Sequence, residues 1–321
     1  MRKTLGRGDW PTVADFFLTL RSHRERDFWF SALPNGKASQ LKSIERWTEE
    51  DPSSGVAWIL RASKEIELGW KARGGGFGDT VSMKAAESLE HHLMRADDCL
   101  NRAASLLPND PQIYTQWLVV GKGLSFPPDR LRELFERAMA CDPTHFGALS
   151  QRFDCLTRKW HGSEKEMFEF VRETAGRLDP GEPGLALVVE AHREAWLDFD
   201  LEEEGHDSDE EATEDSPGDE PGARIHPYFL RPEVHEEIVT TYQRWAEAEP
   251  LVDDAYTLIA RNNFAWGLHK VGEFALALRE LNKIGDKATD IWFSKWGFRR
   301  ALKRSAKYAA QQRRARAGVP A

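Results

Sequence analysis

The sequence predicts an all-α chain built as a stack of helical hairpins, and three observations carry that expectation. Arg102-Ala103-x4-Pro108 recurs as Arg137-Ala138-x4-Pro143 at an offset of 35, and Ala175-x4-Pro180 follows 37 residues further on. Seven residues after each of the aspartates in Asp51-Pro52, Asp110-Pro111 and Asp142-Pro143 stands a large apolar residue: Trp58, Trp117 and Leu149. No run of alternating β-branched residues competes with these helical spacings.

A period of this size, with small residues before a closing proline, matches tetratricopeptide repeats of about 34 residues. The expected architecture is therefore a solenoid of helical hairpins wound into a right-handed superhelix. Taken in order, amphipathic helices are expected near Thr12–Arg21, Asp27–Leu33 and Ser39–Trp47. Asp51 to Asp110 then spans 59 residues, about 25 more than one repeat. The excess falls at Gly69-Trp70 through Gly78, so two long helices, Val56–Lys71 and Val81–Leu106, are joined there by glycines. A phosphate cradle is the sharper reading of that glycine run, but no strand precedes it and no G-K-[ST] follows.

In the second helices, Ala96-x3-Leu100-x2-Ala103 and Leu131-x3-Phe135-x2-Ala138 supply the small and large residues that let two helices interlock. Phe168-x6-Ala175 keeps the ends of that pattern, while Arg172 displaces its middle apolar residue and leaves Val171 to serve. Ser163 followed by Glu166 is a capping box that starts this helix. The clearest repeat is Phe264-Ala265-x2-Leu268-x3-Gly272-x-Phe274-x2-Ala277-x3-Leu281, with glycine at the turn. A Lys- and Arg-rich helix after Trp292 would cap the stack.

The motifs Trp-Thr-Glu-Glu-Asp-Pro (47–52), Gly-Trp-Lys-Ala-Arg-Gly (69–74) and Lys-Trp-His-Gly-Ser (159–163) occur in that order. The ordered trio resembles a bacterial family known only as a domain of unknown function, over roughly residues 27–200. The resemblance implies a helical-repeat fold with no assigned activity, and it carries over no catalytic residue.

Charge divides the chain. The formal net charge is −9, yet Asp200–Glu220 holds twelve acids and no Lys or Arg, whereas Ile291–Ala321 holds nine Lys and Arg and no acid. The organisation expected is a repeat block over 1–199, an acidic disordered linker over 200–222, and a C-terminal repeat pair with a basic cap over 223–321. The three cysteines lack CxxC spacing and read as reduced thiols of a cytoplasmic protein. No apolar stretch reaches the length of a membrane span. One basic tail without a recognised module argues against nucleic acid as the partner.

Nucleophile, Walker and metal-site motifs are missing, and the adjacent His91 and His92 point about 100° apart on a helix. No cofactor is called for, and the expected role is non-catalytic: a scaffold that takes a protein or peptide into its concave groove. Registering the repeats places Lys122, Asp154, Asn262, Trp266 and His269 on that inner face. The alternative is a small-molecule or enzymatic pocket at the 69–78 and 158–163 turns, formed by Trp70, Arg73, Trp160 and His161.

Overall fold

The computed structural model describes residues 1–37, 40–75, 81–160, 162–203 and 225–316. Among the described residues the regular structure is entirely helical: fifteen α-helices, a few single 3-10 turns and no strand. None of the helices is long and apolar enough to cross a membrane. The expected acidic linker falls largely on 204–224, outside the described residues. The chain divides into two compact units at Gly162/Ser163, not at the acidic stretch where the sequence suggested a division. The reason lies in packing: the second helix after Ser163 packs on helices from beyond residue 225, and the first is tied to them by the Arg172–Glu237 pair.

In the first unit, α1 (Arg2–Gly6), α2 (Trp10–Thr19) and α3 (His23–Ala32) precede α4 (Gln40–Glu50), α5 (Gly55–Arg73), α6 (Met83–Leu106), α7 (Pro111–Gly123), α8 (Pro128–Cys141) and α9 (Phe146–Cys155). From α4 to α9 each helix packs on the next. The core is continuous through Phe17, Phe30, Trp47, Leu60, Leu93 and Leu100, all buried. The long α5 and α6 approach closely at Gly69, where an added Cβ would sit 3.0 Å from the Cβ of His92. Gly69 thus belongs to the helix interface, and the chain turns later, at Gly74 with φ +79.

The three Asp-Pro steps have different roles. Asp110 accepts a hydrogen bond from the Gln112 amide at 3.1 Å, with Pro111 as the first helical residue, a strong helix start. At Asp51-Pro52 the cap passes to Ser54, whose hydroxyl accepts from the Ala57 amide. Asp142 instead accepts from the Thr144 amide, and α9 begins only at Phe146. Counting seven residues from each aspartate reaches buried Trp117 and Leu149, and a half-buried Trp58 that packs on the core.

In the second unit, α10 (Glu164–Arg177) and α11 (Leu187–Glu203) are followed by a 3-10 turn at Pro227–Leu230, then α12 (Pro232–Ala246), α13 (Ala255–Lys270), α14 (Phe274–Ile284) and α15 (Lys295–Arg316). Each of these helices packs on the next. Ser163 caps α10 by accepting from the Glu166 amide at 3.2 Å. Gly272 takes φ +85 between α13 and α14, a conformation that costs glycine little. That turn lets Phe274 and Ala277 pack inward, with Tyr242, Trp245, Phe264 and Leu281 filling the core.

Candidate functional site

Two residues of the expected groove and two of the alternative pocket meet in one cluster of the first unit. Lys122, in the last turn of α7, donates to Asp154 on α9 at 2.7 Å and to Gln151 at 3.4 Å. Its ammonium lies 5.8 Å from the ring centroid of Trp70 and 5.2 Å from that of Trp160. The two indoles meet edge to face at 5.5 Å. Arg73 lies 5.7 Å from the Trp70 ring and lines a cleft of about 380 Å³ with Leu89, Glu90, Gly123 and Ser125. His161 lies outside the described residues. The Lys122 charge is already matched by a carboxylate and two ring faces, so a ligand there would have to displace Asp154.

The other three groove residues form part of an interior. Asn262 is fully buried: its Oδ1 accepts from the Thr289 amide and the Trp292 indole, and its Nδ2 donates to the carbonyls of Leu258 and Lys287. Three of these four bonds pin the 287–292 segment onto α13, and the fourth stays within the helix. Trp266 is 2% exposed and packs between Trp196 and Phe229. His269 bonds Ser305 of α15 at 3.0 Å, and burial, with Arg304, Lys270 and Arg300 nearby, lowers its pKa to about 3. The face of α13 that repeat register assigns to an open groove is thus covered by the Pro227–Leu230 turn, the 287–292 segment and α15.

The second unit has its own cleft, which sequence reasoning missed. It holds about 590 Å³ and is walled by α10, α12 and the turn between Tyr228 and Arg231. On α10, Lys165, Phe168, Glu169 and Arg172 follow i, i+3, i+4, i+7 spacing and so share one face. Phe168 and Val234 provide buried apolar floor. Arg172 grips Glu237 of α12 with two parallel hydrogen bonds, 2.7 and 2.9 Å.

Behind that fork stands a buried relay. His192 is 3% exposed, with Nε2 3.1 Å from the Glu237 carboxylate and Nδ1 2.9 Å from the Tyr228 hydroxyl. A carboxylate only accepts, so the imidazole carries a proton on Nε2. In the neutral ring, Nδ1 then accepts from the tyrosine. Burial alone would raise the Glu237 pKa, but the bonds from Arg172 and His192 override it and hold the value near 2. Tyr228 moves the other way, pushed above its ordinary value chiefly by burial. Neither group exchanges a proton near neutral pH.

Arg231 completes the rim. Its guanidinium sits 4.9 Å from the Tyr228 ring centroid and 5.1 Å from that of Phe199, and it forms no hydrogen bond or ion pair among the described residues. One signal did point here, since Arg172 occupies a position the repeat reserves for an apolar residue. His192 carried no such signal: it follows the apolar run Leu185–Val189 and stands among Glu190, Arg193 and Glu194. No family model matches the chain, and no curated protein matches it either.

Proposed function

We propose that the chain is a non-catalytic, cytoplasmic binding scaffold of tetratricopeptide-like hairpins, and that the α10–α12 cleft is where it takes a peptide segment of a partner protein. The observation that carries this reading is the contrast inside the cleft. Phe168 and Val234 offer apolar contact, the Arg172–Glu237–His192–Tyr228 chain fixes the wall, and Arg231 is left with its donors unspent. A guanidinium held flat on two aromatic rings is suited to a carboxylate of an extended segment. Consecutive hairpins closed by turns such as Gly272 support the repeat reading, as do the motifs at 47–52, 69–74 and 159–163 for the uncharacterised bacterial family.

The test is selection from a random-peptide display library on the full chain. An enriched peptide family is expected, with binding at least tenfold weaker to Arg231→Glu at an unchanged melting temperature. Failure to enrich any family, or a family that binds Arg231→Glu equally well, overturns the assignment.

A further inference from the structure

A cleft of about 410 Å³ opens between α5 and α6, and it is lined by Trp58, Arg61, Arg95, Asp98, Cys99 and Arg102. Trp58 and Arg61 are three apart on α5, while Arg95, Asp98, Cys99 and Arg102 follow i, i+3, i+4, i+7 on α6. Two helix faces therefore present three guanidiniums against a single carboxylate. The volume lies within the range of small-molecule sites, about 300–1,000 Å³.

The guanidiniums are unequally engaged. Arg95 is committed behind the cleft, bonding Glu65 at 2.8 Å and Glu45 at 2.9 Å. Arg61 donates to the Thr48 hydroxyl at 3.0 Å and reaches Glu45 only at 3.5 Å. Its buried Nε finds no acceptor among the described residues. The Arg102 side chain is exposed and forms no hydrogen bond or ion pair among the described residues, and neither does the Asp98 side chain.

The remaining wall is flat and rigid. The Trp58 indole donates to the Pro52 carbonyl at 3.0 Å, which fixes the ring, and Arg61 lies 5.6 Å from its centroid. Cys99 is 5% exposed, and burial pushes its thiol up to about 12, so it adds apolar contact and no charge.

We propose that this cleft binds a small ligand consisting of a flat aromatic ring that carries a phosphate or carboxylate group. The ring lies against Trp58, the anion takes the open donors of Arg61 and Arg102, and Asp98 accepts from a hydroxyl or amine between them. This site is separate from the peptide cleft and does not depend on it.

Titration calorimetry on the full chain tests it, with adenosine monophosphate (halves adenosine and inorganic phosphate) and indole-3-acetate (halves 3-methylindole and acetate) as the two ring-anion probes. At least one ring-anion probe should bind tenfold or more tightly than either of its own halves. Arg102→Glu should weaken that probe at least tenfold, whereas Arg132→Glu, on exposed α8 surface, should leave it unchanged. Trp58→Leu should bring its affinity down to that of the probe's anionic half. Equal binding of both ring-anion probes and their anionic halves, or an Arg102→Glu variant that binds as well as the parent, overturns the proposal.

Discussion

The α5–α6 cleft and the α10–α12 cleft use the same side chains, arginine beside an aromatic wall with a glutamate nearby, and arrange them in opposite order. In the first unit the carboxylates stand behind the cleft: Glu65 is fully buried and holds Arg95 and His92, at 2.8 and 2.6 Å. In the second, Glu237 lies on the cleft wall itself and takes Arg172 in a bidentate grip. Counting arginines would rank the paired Arg172 and Arg95 with the unpaired Arg231 and Arg102. What matters is where the countercharge sits, because a paired guanidinium in the wall has its donors spent.

The sharpest way to break this contrast is to remove the two carboxylates. Glu65→Ala empties a fully buried carboxylate site and takes a bond from both Arg95 and His92, but Arg95 keeps Glu45, so roughly 2–4 kcal/mol of stability should be lost. Glu237 has a side chain 21% exposed, so water can replace it at Arg172, and Glu237→Ala should cost roughly 1–3 kcal/mol. Urea unfolding of the two variants compares them directly. A larger loss at Glu237 would mean that the second cleft, not the first, is built over its buried charge.

A pair of histidines extends the contrast between the units to pH. In the first unit His145 is buried, which alone would lower its pKa, but the Asp142 carboxylate 3.8 Å away and the charges of Asp27 and Asp110 raise it above the ordinary value. A group raised on folding stabilises fully below its unfolded pKa, about 6.5, and that contribution is lost as pH rises through the folded value. His269 in the second unit is lowered to about 3, so its contribution is present above about 6.5 and is lost as pH falls toward 3. The slope there reaches about 1.4 kcal/mol per pH unit. Melting curves from pH 4 to 9 should show His269→Gln flattening the acid limb and His145→Gln flattening the alkaline limb. If both variants flatten the same limb, one of the two histidines carries the opposite charge in the folded chain.

Much of the helical order was readable because it depends on local spacing. The Ala-x4-Pro steps, the Ser163 cap and the Gly272 turn are properties of ten or fifteen consecutive residues. The site was readable only where a residue broke its own pattern, as Arg172 does. Asn262, Trp266 and His269 show the limit from the other side. Their helix was expected and their shared face follows from its period, but the 287–292 segment and α15 cover that face, and helical period carries no information about a later segment's docking. Trp58 is the fourth residue of α5, as Leu149 is of α9, and it packs on the core, but the spacing did not show that one side of its ring stays open to the α5–α6 cleft. Lys122, Trp70 and Trp160 come from α7, α5 and a 3-10 turn, so no spacing within one helix could bring them together.

The smallest expected effect is also the one that separates binding from folding. Arg102 and Arg231 are exposed and have no ion-pair partner among the described residues, so neither stabilises its unit through a salt bridge. Truncating Arg102 to alanine removes only partial coverage of the α6 surface, and Arg231→Ala removes stacking on Tyr228 and Phe199. Each should therefore change unfolding free energy by no more than about 0.5 kcal/mol, the usual range for surface positions, with Arg231 the larger because its rings are lost as a contact. Affinity should respond differently, since a guanidinium with open donors gives its full charge-assisted bond to whatever anion arrives. Urea titration of both variants beside the binding measurements separates the two quantities. A stability loss above 1 kcal/mol at Arg102 would mean that its guanidinium is spent within the fold, and the α5–α6 cleft would then resemble the α10–α12 wall, with its donors already paired.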